Sequence, residues 1–251
     1  MMKSILEMTK AELLLLDPFK FTSKMLSAEE VIHIAEVLGS FWRYDYEAAK
    51  LGKPGKHALL KSGLHSDGFL ISKILLKSDN IRQLMAFQLQ LRFIQHAIGW
   101  PDYLVGIPDG ATKLAENLGD IMGVKVVEMK KNKRDGRITI TGSLQYGSKV
   151  LLVEDFCTKG TGFKETVIEI KRKYPDIEIL PYEMVIVNRG GLKEIVVDGV
   201  DTFTIIPVAD YQIKEWDPDP EKCKLCREYG SVAIKPKVSE ESWKDITTSQ
   251  M

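Results

Sequence analysis

The chain reads as an α/β protein, a central and mostly parallel sheet flanked by helices. Two observations predict that class. Strand-length apolar runs at 103–107, 125–129, 149–154 and 182–187 are spaced by helix-length segments at 111–122 and 163–173, the rhythm that builds a parallel sheet. The strand at 149–154 also ends in acids and a Gly-rich turn, and a parallel sheet binds ligands at its strand carboxyl ends.

The elements follow in order. Ser27-Ala28-Glu29-Glu30 is a capping box, and Val31, Ile34, Ala35, Leu38 and Phe41 follow at helical spacing. That helix is expected to reach about Leu51 and to stop at Gly52-Lys53-Pro54-Gly55. Residues 57–76 alternate around Ser62-Gly63 and read as strands or a hairpin. Asp79 is placed to cap a helix across Ile81–Ile98, ended by Gly99. Then come strand Tyr103–Ile107, helix Ala111–Met122 closed by Gly123, strand Lys125–Met129 and strand Arg137–Thr141. Strand 149–154, helix 163–173 and strand Tyr182–Val187 complete the series. Beyond Trp216 the chain is rich in Pro, Lys and acids and is expected to form a tail whose end is loosely ordered. The expected organisation is an N-terminal helical segment (1–56), an α/β domain (57–215) and a C-terminal tail (216–251). No internal repeat is visible.

Composition narrows the classes of function. At 251 residues the chain fits one domain, or one domain with appendages, and can bury a full core. Basic and acidic residues balance at 35 each, so no nucleic-acid partner is expected. No apolar run approaches the roughly 18 residues of a membrane span. The apolar patch Leu13–Leu16 is too short, and its flanks too acidic, for a signal peptide. Three cysteines imply no disulfide framework and a reducing compartment, the cytoplasm by default.

The run Val150-Leu151-Leu152-Val153-Glu154-Asp155-Phe156-Cys157-Thr158-Lys159-Gly160-Thr161-Gly162 carries the most chemistry. Backbone amides of the loop and of the following helix suit a phosphate. Threonine hydroxyls add hydrogen bonds, and glycines admit close approach. The paired carboxylates repel a phosphate and suit a neutral group rich in hydroxyls, as ribose 5-phosphate is. A P-loop is excluded because G-x-x-x-x-G-K-[ST] is absent. A dinucleotide fingerprint is excluded because it places its glycines before the acid. A strand–turn–helix with no ligand is the remaining alternative.

The run resembles the ribose-phosphate signature of the type I phosphoribosyltransferases. That resemblance implies their fold, a central mostly parallel sheet with a flexible hood loop. It also implies that Glu154 and Asp155 hold the ribose hydroxyls of phosphoribosyl pyrophosphate, and that Thr158, Lys159, Gly160, Thr161 and Gly162 hold its 5′-phosphate. Gly162 stands where the family often has Ser or Thr.

Three further segments resemble the orotate phosphoribosyltransferases. Lys130-Lys131-Asn132-Lys133-Arg134-Asp135-Gly136 matches their flexible catalytic loop, with Lys130 and Lys133 at the pyrophosphate-binding positions. Met129 and Asp135 replace an arginine and a histidine. A solvated cationic loop is the plain alternative. Lys61-Ser62-Gly63-Leu64-His65-Ser66-Asp67-Gly68-Phe69 matches a second motif, implying that Lys61 reaches the substrates and Phe69 packs on the base. Leu70 takes the place of a second aromatic. Arg189, at a strand end, matches an arginine that pairs with the carboxylate of orotate, for which a guanidinium fork is suited. Asp109-Gly110 stands where the family places its pyrophosphate loop, and a Pro-Asp-Gly turn with Asp as helix cap explains those residues equally well.

Cys223-Lys-Leu-Cys226 is a lone C-x-x-C. Zinc needs four ligands, and neither Cys157 nor the four histidines lie at ligand spacing in the sequence, so no metal ligand is assigned within one chain. Two tails across a dimer are the remaining route to four thiolates. His33 and His96 fall in expected helices and read as packing or surface residues. Cys157 reads as a space-filler.

The function implied is transfer of the phosphoribosyl group to orotate, giving orotidine 5′-phosphate and pyrophosphate. The resemblance also implies Mg²⁺, held mainly by the ribose hydroxyls and pyrophosphate oxygens, and a homodimer in which the cationic loop completes the neighbour's site. No decarboxylase domain fits in this length, so the next pathway step is expected on another polypeptide. Transfer to another base such as a purine, and a non-catalytic phosphoribosyl pyrophosphate or nucleotide sensor, are the alternatives.

Overall fold

A computed structural model describes residues 3–251. Along the chain run α1 (Lys10–Leu14), α2 (Ala28–Val37), β1 (Phe41–Arg43), α3 (Tyr46–Lys50), β2 (Lys56–Leu59), β3 (His65–Ser66) and β4 (Gly68–Leu70). Next come α4 (Ser72–Leu75), α5 (Asp79–His96), β5 (Tyr103–Gly106), α6 (Thr112–Met122), β6 (Lys125–Val126), β7 (Met129–Lys131) and β8 (Ile138–Ile140). Then follow β9 (Lys149–Cys157), α7 (Thr161–Lys173), β10 (Glu178–Asn188), β11 (Glu194–Val197) and β12 (Asp201–Asp210). The chain closes with β13 (Glu215–Trp216), α8 (Lys224–Tyr229), β14 (Val232–Ile234) and α9 (Glu240–Thr248).

These elements form two units, one from Met1–Val37 and Ser72–Gln212, the other from Leu38–Ile71 and Ile213–Met251. The first holds a six-stranded sheet in the order β11-β12-β10-β9-β5-β6. Every pairing in it is parallel except β11 with β12. The central strand β9 is buried from Val150 to Val153, as a strand covered on both faces must be. Val150, Leu152 and Val185 pack with Phe163, Val167 and Ile170 of α7 in one apolar cluster, while α5 and α6 pack on each other and on β10 and β5 respectively.

The second unit has a four-stranded sheet, β13-β3-β2-β14, and the antiparallel pair β1-β4. Its core gathers Trp42, Tyr44, Ala49, Ala58, Cys223, Leu225 and Ile246.

Two expectations are corrected. The helix begun by the Ser27 capping box forms its box, with the Glu30 amide on Ser27 Oγ at 3.1 Å and the Ser27 amide on Glu30 Oε2 at 2.8 Å. It ends at Val37, not near Leu51. Gly39 takes φ 74°, and Phe41–Arg43 then pair as a strand with Gly68–Leu70. Residues past Trp216 are not a loose tail: β14 pairs in parallel with β2, and α9 packs on β2. The backbone amides of β2 need partners, and the C-terminal segment supplies them.

Candidate active site

The carboxyl ends of β5, β9 and β10 lie side by side, since the three strands are neighbours in register. β9 carries Glu154 and Asp155 to its end, and Thr158–Gly160 then turn the chain into α7. Gly160 is in the left-handed region, φ 64°, where a side chain is penalised. A β-carbon there would also run into Ile195. The first amides of α7 have no partner within the helix, which leaves an anion-binding end.

From β5 the chain passes through Ile107, whose amide donates to the Val153 carbonyl at 2.8 Å. The Pro108–Asp109 peptide is cis. Gly110 lies against the Asp155 carboxylate so closely that a β-carbon on it would collide. Asp109 is exposed, and α6 starts from Ala111 with no side-chain cap, so Asp109 is not the helix cap its Pro-Asp-Gly setting suggests. Gly162 has a reason of its own: a β-carbon there would stand 3.1 Å from Glu154 Oε1 and 3.3 Å from Ile107 Cγ2. The residue that departs from the usual Ser or Thr makes room for Glu154.

The two adjacent acids differ in setting. Neighbouring strand residues point to opposite faces, and Glu154 turns toward Glu183 of β10 and Cys157. Donor atoms of these three groups lie within 4.8 Å of one another. Glu183 is fully buried. Burial, then the facing Glu183, raises the Glu154 carboxyl well above its ordinary range, and burial also raises Glu183. Desolvation and proximity both favour the neutral form of this pair. The Cys157 thiol is pushed up by burial and by the same two acids, so it stays protonated and unreactive. Sequence reasoning missed Glu183. Its signal was one acid inside the apolar run Tyr182–Val187.

Arg189 follows β10. Its amide donates to the Cys157 carbonyl at 2.7 Å, and its Nη2 donates to Thr158 Oγ1 at 2.6 Å. It therefore braces the turn from Thr158 to Gly160. Lys159 is exposed on that turn.

Lys130 and Lys133 lie on a hairpin, not an open loop: β7 pairs antiparallel with β8, and Met129 stands opposite Ile140. Met129 is 2% exposed and packs in the core of the first unit, which gives the residue a structural reason. Asp135 shapes the turn, its Oδ1 accepting from the Arg137 amide at 3.0 Å. Lys130 and Lys133 are exposed, and Lys130 Nζ is 3.4 Å from Glu128 Oε1.

Lys61 and Phe69 belong to the second unit. Lys61 is exposed in the β2–β3 turn, where the Gly63 amide donates to the Leu60 carbonyl at 3.0 Å. Phe69 is half-buried in β4, its ring centroid 6.1 Å from that of Trp243. In the same unit His57, His65, Cys223 and Cys226 bring four donor atoms within 4.8 Å of one another. The expectation that no histidine joins the two cysteines is thereby corrected. β2 and β3 deliver two histidines that are remote in sequence.

No family model matches the chain. Among curated proteins it is 27% identical over 180 residues to an orotate phosphoribosyltransferase of Caldicellulosiruptor bescii, covering 72% of this chain and 87% of that one. With an orotate phosphoribosyltransferase of Caldanaerobacter subterraneus the identity is 28% over the same coverage. Among solved structures, the orotate phosphoribosyltransferase of Aeropyrum pernix superposes with a TM-score of 0.55 at 16% identity, over 72% of this chain and 93% of that one. The UMP synthase of Leishmania donovani superposes with a TM-score of 0.51 at 18% identity, over 80% of this chain and 40% of that one. The chain has the type I phosphoribosyltransferase fold and resembles the orotate phosphoribosyltransferases in sequence.

Proposed function

We propose that this protein is a phosphoribosyltransferase of pyrimidine nucleotide synthesis that joins orotate to phosphoribosyl pyrophosphate. The observation that carries this is the meeting of the Asp155 carboxylate, Gly110 and the Gly160-led end of α7 at one sheet edge. A carboxylate for hydroxyls and amides for phosphate stand side by side there. The names of the curated relatives supply the base.

In the reaction, orotate N1 forms a bond to C1′ while the C1′–oxygen bond to pyrophosphate breaks, and the leaving pyrophosphate takes the electron pair. Asp155 holds the ribose hydroxyls and faces the positive charge that develops on the ring. Glu154, tied to Glu183, positions the strand end. Thr158, Thr161 and the amides of 159–162 anchor the 5′-phosphate, with Arg189 bracing Thr158. The backbone at Asp109 and Gly110 faces pyrophosphate, and Lys130 and Lys133 neutralise it as it leaves. Lys61 and Phe69 serve the substrates and the base, and Arg189 reaches an orotate carboxylate only by leaving Thr158.

The donor available at this edge is carboxylate oxygen, since Cys157 is buried, and that suits Mg²⁺. Asp155 would hold the ion through water. It would supply charge screening for the departing pyrophosphate. A homodimer, with each hairpin serving the other copy's site, and a reducing cytoplasmic setting complete the proposal. No helix among the described residues is long and apolar enough to cross a membrane.

The test is turnover by purified protein with phosphoribosyl pyrophosphate, Mg²⁺ and, separately, orotate, uracil, adenine and hypoxanthine. Loss of the orotate ultraviolet band with release of pyrophosphate is expected. Asp155→Asn should lower kcat roughly 10²–10³-fold with an unchanged circular dichroism spectrum. Turnover of a purine alone would replace the base, and tight binding without turnover of any base would leave a sensor.

A further inference from the structure

His57 Nε2 and His65 Nδ1 are 3.0 Å apart. Cys226 Sγ is 3.6 Å from His57 Nε2 and 3.5 Å from His65 Nδ1, and Cys223 Sγ is 3.8 Å from His57 Nε2. A tetrahedral zinc ion, with Zn–S about 2.3 Å and Zn–N about 2.0–2.1 Å, holds its donors roughly 3.3–3.8 Å apart. The four atoms therefore already stand close to the corners such an ion needs. Two ring nitrogens at 3.0 Å share at most one proton between them, and two thiols pressed on the same point add only weak donors. A dication at their centre satisfies all four at once.

We infer that His57, His65, Cys223 and Cys226 form a structural Zn²⁺ site that ties the two chain segments of the second unit together. Two thiolates and two imidazoles in a tetrahedron select zinc over calcium or magnesium, which take oxygen. Four protein donors close the coordination shell and leave no position for a reacting water, the mark of a structural rather than catalytic zinc.

The surroundings support this. His57 Nδ1 lies 2.9 Å from Ser231 Oγ, which in turn donates to the Gly55 carbonyl at 3.2 Å. A ligating histidine fixed through its other ring nitrogen is the usual arrangement around zinc. With Nδ1–H donated to Ser231, Nε2 keeps the lone pair that a metal takes. His57, His65 and Cys223 are buried and Cys226 partly so, which keeps bulk water from competing.

The role follows from connectivity. The histidines come from β2 and β3 in segment Leu38–Ile71, the cysteines from the start of α8 in segment Ile213–Met251. These segments share the core of Trp42, Ala58, Leu225 and Ile246. A small core closed between remote pieces of chain is where a metal adds most to folding.

The test uses the full chain purified under reducing conditions. Isolated from zinc-replete culture it should carry one zinc per chain. The metal-free, reduced protein titrated with Co²⁺ should show intense visible bands of tetrahedral cobalt and thiolate-to-cobalt charge transfer in the near ultraviolet, both abolished by one equivalent of Zn²⁺. Cys226→Ser should lose about half of the charge-transfer intensity, one of two thiolates being gone. Ser231→Ala spares all four ligands and should weaken zinc binding roughly 10–100-fold, which keeps the inference testable if Cys226→Ser does not fold. Protein without zinc, a weak six-coordinate cobalt spectrum, or a Cys223–Cys226 disulfide after reducing isolation would each overturn it.

Discussion

The Asp155 carboxylate occupies the space that a side chain on Gly110 would need. The loop after β5 and the end of β9 are thus fitted to each other without slack, and the acid is held where a ribose is expected. Gly110→Ala must move either the loop or the carboxylate. Turnover with orotate should fall about 10²-fold, the usual result of misplacing a catalytic group by about an ångström, while the circular dichroism spectrum stays unchanged. Full activity in that variant would show that Asp155 needs no such fit.

Glu154 and Glu183 predict a dependence of stability on pH. Both carboxyls titrate above the ordinary glutamate value of 4.5 in the folded chain. Their contribution is then complete below that value and is lost as pH rises through the elevated folded values. The melting temperature should decline on the alkaline side of 4.5, and Glu183→Gln should flatten that decline. Melting curves across the pH range decide it; a Glu183→Gln slope equal to wild type sinks the raised carboxyl pair.

Arg189 is bound to Thr158 through Nη2, which ties it to the turn proposed to hold the 5′-phosphate. A charge-assisted hydrogen bond contributes about 1.5–3 kcal/mol. Arg189→Ala should raise KM for phosphoribosyl pyrophosphate roughly tenfold or more and leave KM for orotate nearly unchanged. The opposite split would return Arg189 to the carboxylate of the base.

The hairpin separates charge from packing. Lys133 is exposed, so Lys133→Ala should lower kcat with a change in stability within about 0.5 kcal/mol. Met129 is buried in the core, and Met129→Ala should cost roughly 2–5 kcal/mol of stability. Denaturant unfolding and steady-state rates on the same two variants check both. A stable Met129→Ala with impaired turnover would make Met129 a site residue after all.

The sequence exposed what repeats locally. Strands β5, β9 and β10 and helices α5, α6 and α7 announce themselves through apolar runs and periodicity, and the acid–threonine–glycine run marks the sheet edge. What stayed hidden depends on distant partners. Leu38 and Phe41 continue the helical spacing of α2, but one glycine and a pairing with Gly68–Leu70 turn that stretch into a strand. β11 and β12 went unread, and β12 joins the sheet only by lying beside β10. Glu183 acquires meaning from Glu154 on the next strand. Likewise His57 and His65 look like hairpin residues until α8 brings two thiols beside them. Even Met129, a mismatch in a catalytic motif when read as text, is a packing residue in space.

The second unit is split, with Leu38–Ile71 and Ile213–Met251 lying on either side of Ser72–Gln212. On a ribosome, where chains emerge N-terminus first, β2 and β3 appear long before β14, α8 and α9 exist to cover them. The early segment must wait, unpaired along one edge of β2, while Ser72–Gln212 is synthesised and folds. Completion of the second unit therefore waits for Ile213–Met251, and the chain is most exposed to misassociation during the interval in which β2 has no neighbour on that edge.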